Sequence, residues 1–142
     1  AVEVSITAPD TLLMIPMDII LVEQVLINLM ENAVQHGKTT TKIELRLSST
    51  GGFAVFEVAD NGCGIEKELL PHLFEGYLTR DHEEISDQRR NMGIGLSVCM
   101  SIVQAHGGTM RAKNRKKGGA LLQFTLPLEE ISHEYQREGS SN

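Results

Sequence analysis

The chain has 142 residues, 41% of them apolar and 23% charged, the balance of a single globular domain large enough to bury a core. A net charge of −6, only 4% aromatic residues and no tryptophan disfavour nucleic acid and membrane surfaces as partners. An anionic ligand would then need a cation, local Lys or Arg, or backbone N–H groups to offset repulsion.

Val2, Val4 and Ile6 alternate with polar residues and predict a short half-buried strand. Ala1-Val2-Glu3-Val4 is already strand-like and lacks an initiator Met, so the chain is expected to be a piece of a longer protein. Pro9 and Pro16 bracket a connection, and Asp18 suits a helix N-cap. From Ile19 to His36, Val22, Val25, Leu26, Leu29 and Ala33 fall at helical spacing. Lys42 to Ser48 and Phe53 to Ala59 alternate with period two around Gly51-Gly52, which predicts a hairpin. Glu66 to Phe74 suits a short helix, whereas Glu75 to Met92 is charged and aperiodic and reads as a long loop.

Gly93 to His106 returns to helix, with Leu96, Cys99, Ile102 and Val103 on one side and Gly107-Gly108 as the stop. Thr109 to Asn114 and Gly119 to Leu126 predict a second hairpin, turned at Lys116-Lys117-Gly118 and closed by Pro127. The basic run from Arg111 to Lys117 lies on that turn and reads as solvated. Residues 129–142 read as a loose polar tail after a domain spanning 1–128. The element order predicts an α+β fold, a two-layer sandwich with helices on one face of a mixed sheet. Cys63 and Cys99 are the only cysteines, with no C-x-x-C. They make neither a disulfide framework nor a metal site and read as reduced, cytosolic thiols. No run of 18 apolar residues is present.

Three constellations could carry chemistry. Gln24, Asn28, Asn32 and Gln35 share one face of the first helix, with Glu31 beside them. A solvated amphipathic face is the commoner reading of such spacing. The sharper one is a polar face turned into a site, where amide oxygens suit Mg²⁺, a hard cation that takes few protein ligands beside substrate phosphates. The second is Asp60-Asn61-Gly62-Cys63-Gly64-Ile65 at a strand end. As a turn it is unremarkable. As a site, Asp60 accepts hydrogen bonds only and would pair with an exocyclic amine such as adenine N6, while Gly62 and Gly64 let backbone approach a flat ring. The third is Gly93-Ile94-Gly95-Leu96 at the expected helix start, where N–H groups favour phosphate and Arg89 and Arg90 add charge. It lacks the pattern of a P-loop or a dinucleotide fingerprint.

In this order and spacing the three elements resemble the GHKL (Bergerat-fold) ATP-binding domains, and more closely the catalytic domain of bacterial sensor histidine kinases. Gln24 to Ala33 resembles that family's N box, Asp60 to Ile65 its G1 box and Leu73-Phe74-Glu75-Gly76-Tyr77 its F box. Gly93 to Leu96 resembles its G2 box, with Asn91 where a glycine is usual. The resemblance covers about residues 2–127. It implies that Asn32 ligates Mg²⁺ with Asn28 assisting or contacting phosphate, and that residues 75–92 form a lid from which Arg89 or Arg90 reaches ATP phosphates. Gln35 stands where a phosphate-contacting Lys is common, and His36 where an aromatic ring often flanks the nucleotide. Phe74, Tyr77, Ile65 and Leu96 complete the implied pocket.

In the ATP-hydrolysing relatives a Glu four residues before the metal Asn activates water; here that residue is Asn28, which cannot act as a base. The same residue argues against a serine kinase of the anti-sigma type. No acceptor histidine motif is present, since His82-Glu83 and His133-Glu134 do not continue as one. The resemblance therefore implies transfer of the ATP γ-phosphate to a histidine on a dimerisation domain outside this chain, for relay to a response regulator. The fragment is expected to be the cytosolic part of a membrane-anchored sensor that itself touches no membrane, and not to autophosphorylate alone. A non-catalytic ATP-binding module is the alternative. Gln24 to Val34 and Asn114-Arg115 with Gly118-Gly119-Ala120 are similar to the potassium-responsive, Kdp-type kinases.

Asp60→Asn should lower ATP affinity by about tenfold to a hundredfold, because the amide can turn a donor toward the N6 amine. Titration calorimetry showing unchanged binding would refute the adenine contact.

Overall fold

The structure, a computed structural model, describes residues 1–75 and 87–129; of His36 and residues 87–94 it describes the backbone. Alternation of apolar and polar residues builds β2 (Lys42–Thr50), β3 (Phe53–Asp60), β4 (Met110–Asn114) and β5 (Ala120–Pro127). Together with β1 (Glu3–Thr7) they form a five-stranded sheet in the order β1-β2-β3-β5-β4. β1 runs parallel to β2 and every other pairing is antiparallel. In register, Val58 lies between Leu45 and Leu122, and Phe56 between Leu47 and Phe124. The Phe56 and Phe124 rings stack with centroids 4.6 Å apart.

Those side chains share one face, and both helices cover it. α1 (Ile19–His36) starts where expected: Asp18 caps it by accepting the Leu21 N–H at 3.1 Å. Val22, Val25, Leu29 and Ala33 are buried against the sheet and against Leu96, Cys99 and Val103 of α2 (Asp87–Ala105). At the far end of the pair His106 ties the helices together. Its Nε2 accepts the Asp18 N–H at 3.0 Å while its Nδ1–H donates to the Ile102 carbonyl at 2.8 Å. No helix among the described residues is long and apolar enough to cross a membrane.

Three expectations need correction. β1 is not half-buried: all five of its residues are exposed, Ile6 at 74%, because it sits at the sheet edge beyond the reach of either helix. The stretch 66–74 is not one helix. It is a turn in which Leu69 and Leu70 both donate to the Glu66 carbonyl, followed by a single 3₁₀ turn, Leu70–His72. Pro71 lacks the N–H that α-helix would need and disfavours helical backbone at the residue before it. Finally, α2 begins at Asp87, six residues before the expected start, so residues 87–92 are helical rather than loop. Gln88, Arg89, Arg90 and Met92 are good helix formers, and a glycine inside a helix costs only about 1 kcal/mol. The rest of the expected lid, 76–86 with Tyr77, and the tail from 130 on lie outside the described residues.

Leu29→Ala should destabilise the domain by about 2–5 kcal/mol. Ile27→Ala, two residues away but 40% exposed, should change stability by less than about 1 kcal/mol. Urea denaturation of both variants checks the assignment, which equal losses would overturn.

Candidate functional site

The end of α1 and the end of β3 meet through very small residues. Gly37 closes α1 as its C-cap, and Lys38 in a left-handed conformation (φ 56°) turns the chain toward β2. The Thr40 hydroxyl donates back to the Ala33 carbonyl at 2.7 Å. Gly62 packs into this corner: a Cβ there would lie 2.6 Å from the Gly37 carbonyl oxygen and 2.8 Å from the Gly37 Cα. The next N–H, that of Cys63, donates to the same carbonyl at 2.9 Å. Asn61 adds a second tie, its Oδ1 accepting the N–H groups of Thr41 and Lys42 at 2.9 and 3.0 Å. The loop after β3 is thus bound to the helix that carries Asn28 and Asn32.

Asp60 is the buried polar residue at the centre, 3% exposed. Its Oδ1 accepts the Gly62 N–H at 2.8 Å and the Ala120 N–H at 3.3 Å. The carboxylate is therefore held by its own loop on one side and by β5 on the other, accepting from both. Gly64 takes a positive φ of 80°, and the Asn114 side chain fills the space beside it. Ile65 and Phe74 are half-buried against the core, and Leu73 and Leu96 are fully inside it.

The amide stripe divides. Gln24 and Gln35 are exposed, as a solvated face would be, but Asn28 and Asn32 are half-buried. Asn28 faces α2: its Nδ2 donates to the Cys99 Sγ at 3.5 Å, and a Cβ on Gly95 would lie 3.9 Å from its Oδ1. Among the described residues Asn32 Nδ2 is buried without a hydrogen-bond partner. Leaving a buried amide unpaired is costly, of order 1–3 kcal/mol, and calls for an explanation, a bound ion among them. A half-turn of the amide would present Oδ1 at the same spot, so the site fits a hard cation taking one or two protein oxygens. Among the described residues no cluster of three His, Cys, Asp or Glu side chains offers another metal site.

Gly93 and Gly95 lie within α2 rather than at its N-terminus. The argument that their N–H groups are free for phosphate is corrected, since helix interiors use those groups in the i to i−4 ladder. The side chains of His36, Arg89 and Arg90 fall outside the described residues, as does Tyr77. Four residues escaped the sequence reading: Thr40, Asn61, Asn114 and Arg115. Asn61 sat inside a recognised motif, and an Asn after a strand is a usual side chain-to-backbone linker. Arg115 is a correction, because it is half-buried and donates to the Asp60 carbonyl at 2.8 Å instead of standing in solvent. Arg111, Lys113, Lys116 and Lys117 are exposed as expected.

Comparison with known proteins agrees with this fold. Residues 17–130 match the family model described as histidine kinase-, DNA gyrase B-, and HSP90-like ATPase. The chain is 39% identical over 127 residues to the sensor protein KdpD of Clostridium acetobutylicum, covering 89% of this chain and 14% of that protein. It therefore spans about one seventh of that relative's length. Among solved structures, the ATP binding domain of PrrB from Mycobacterium tuberculosis superposes with a TM-score of 0.71 at 26% identity, over 91% of this chain and 82% of that one. The catalytic domain of histidine kinase ThkA, free of nucleotide, gives 0.70 at 26% identity, over 89% and 78%.

Burial pushes the Cys99 thiol above its ordinary value of 9.0, with the Asn28 amide hydrogen bond opposing the shift in part. The folded chain then holds the thiol proton where the unfolded chain has released it. That contribution to stability is complete below about pH 9 and is lost as pH rises toward the folded value. Urea denaturation across alkaline pH should show a decline that Cys99→Ala lacks; parallel declines in both proteins would place its cause elsewhere.

Proposed function

Because the chain belongs to the histidine kinase-, DNA gyrase B- and HSP90-like ATPase family, we propose that it is the ATP- and Mg²⁺-binding catalytic unit of a sensor histidine kinase. The observation that carries the reading is the joint placement of two features on one corner of the fold. One is a buried carboxylate that accepts two backbone N–H groups; the other is a buried asparagine amide without a partner among the described residues. Asp60 would accept the adenine N6 amine, and Asn32, with Asn28 beside it, would hold the cation. Bound there, Mg²⁺ would neutralise developing charge on the phosphates.

Asn28 decides the acceptor. An amide has no useful basicity, so nothing at that position activates water or a serine hydroxyl. The neutral imidazole of a histidine needs no such base. It attacks the γ-phosphorus, the bond to the ADP oxygen breaks, and the imidazole proton leaves to solvent. In this reading Asn28 serves instead as a spacer between the helices, through Cys99. The acceptor histidine belongs to a dimerisation domain of the same full-length protein, and the phosphoryl group passes on to a response regulator. The similarity to KdpD supports a place in that subgroup of sensors, with this unit on the cytoplasmic side of a membrane-anchored protein. Residues 75–86, just before α2, are assigned to the lid over the phosphates.

Incubating the chain with γ-labelled ATP, Mg²⁺ and the separately produced dimerisation domain should give an acid-labile, base-stable label on that domain. ATP binding with no such label would make the chain a non-catalytic nucleotide module. Asn32→Ala should remove the Mg²⁺ dependence of ATP binding while leaving the fold intact, and a metal titration that ignores the substitution would assign the cation to another ligand.

A further inference from the structure

The turn between β4 and β5, which as sequence is only a run of basic residues, grips both ends of the loop that carries Asp60. At one end the Asn114 side chain imitates a neighbouring strand. Its Oδ1 accepts the Ile65 N–H and its Nδ2 donates to the Ile65 carbonyl, both at 2.7 Å. A short amide can do this because it presents one donor and one acceptor in the spacing of a peptide group. The approach requires that residue 64 have no side chain, since a Cβ on Gly64 would lie 2.8 Å from the Asn114 Oδ1. At the other end Arg115 Nη1 donates to the Asp60 carbonyl at 2.8 Å. The turn itself is closed by the Arg115 N–H on the Gly119 carbonyl at 2.8 Å and the Gly118 N–H on the Arg115 carbonyl at 3.1 Å. It presses so close that a Cβ on Gly119 would lie 2.7 Å from the Asp60 carbonyl carbon.

From this placement we infer that Asn114 and Arg115 are positioning residues for nucleotide selection. They hold residues 60–65 in the one pose that aims the Asp60 carboxylate at the base. The inference rests on the ATP-binding reading above. Residues 61–69 form no regular helix or strand, so the loop's shape is imposed by what it leans on. The α1 corner fixes Asn61, Gly62 and Cys63. Asp60 and Ile65, the two ends, are fixed by the β4–β5 turn and the first residue of β5. A hydrogen bond that reads an exocyclic amine is sensitive to sub-ångström displacement, whereas the proposed cation and phosphate contacts at Asn28 and Asn32 lie on α1, outside this loop. Loosening the ends therefore costs base discrimination before it costs nucleotide binding as such.

The test titrates the wild-type chain, Asn114→Ala and Arg115→Met with ATP and with GTP, and follows amide exchange at Ile65. Arg115→Met keeps an apolar stem of similar length, so a folded variant is available even if Asn114→Ala proves unstable. Each variant should lose about tenfold in ATP affinity, as expected for one or two net hydrogen bonds of ordinary strength. GTP affinity should change little, so that the preference for ATP falls by a similar factor. Exchange at the Ile65 amide should speed up in Asn114→Ala. Equal losses for ATP and GTP, or no loss for either in both variants, would overturn the inference while ATP binding by the wild type stood. A wild-type chain that fails to bind ATP would overturn the underlying reading and this inference with it.

Discussion

The corner where Gly62 meets Gly37 and Thr40 governs the rest of the site. Two backbones approach there more closely than any side chain allows, and the Cys63 N–H and the Asn61 amide lock the approach with hydrogen bonds. Because α1 runs straight back from this corner, the distance from the loop to each turn of the helix is set once the corner forms. Asn32 lies about one and a half helical turns before Gly37 and Asn28 about one turn further. The polar groups of the helix are thereby indexed to Asp60 by rigid elements rather than by loops, which is how a site keeps its geometry.

A second constraint acts between the helices. Asn28 has a neighbour on α2, the Cys99 thiol, in an otherwise apolar interface with Leu29, Leu96 and Val103. An amide against a thiol is a weak pair. It nevertheless satisfies a donor that would be expensive to leave bare, and it holds α2 at a distance that a bulkier or charged residue would change. In this chain position 28 is part of the packing between the helices.

Most of the architecture was readable because it rests on periodicity. The bounds of α1, the Asp18 cap, both hairpins and the shared core face all follow from apolar spacing and turn residues, and the structure reproduces them. The misreadings have local causes. Pro71 interrupts a segment whose composition otherwise suits a helix. Gly93 and Gly95 look like punctuation, yet α2 runs through them from Asp87. Asp60 stands out in the sequence because a carboxylate between a strand and two glycines is a recognisable pattern. Arg115 and Asn114 were not, because their partners, the backbones of Asp60 and Ile65, lie 55 and 49 residues away in sequence. Periodicity describes which way a residue faces. It carries no information about which distant backbone waits there, and the same limit hid the orphaned amide of Asn32.

The strand order has a consequence for how the protein is made. β3 pairs with β5, and the two are separated in the chain by everything from Asn61 to Gly119. On a ribosome the α1 corner and the first hairpin can form early, since their contacts are local. The closing of so long an excursion has to wait, for both entropic and synthetic reasons. Until β5 emerges, Asp60 has the Gly62 N–H but not that of Ala120, and Asn114 sits on a strand whose sheet neighbour, β5, is not yet there to hold it at Ile65. On the proposed reading, competence to select a nucleotide would come only with β5, and a nascent chain arrested short of it would possess the motif without the function.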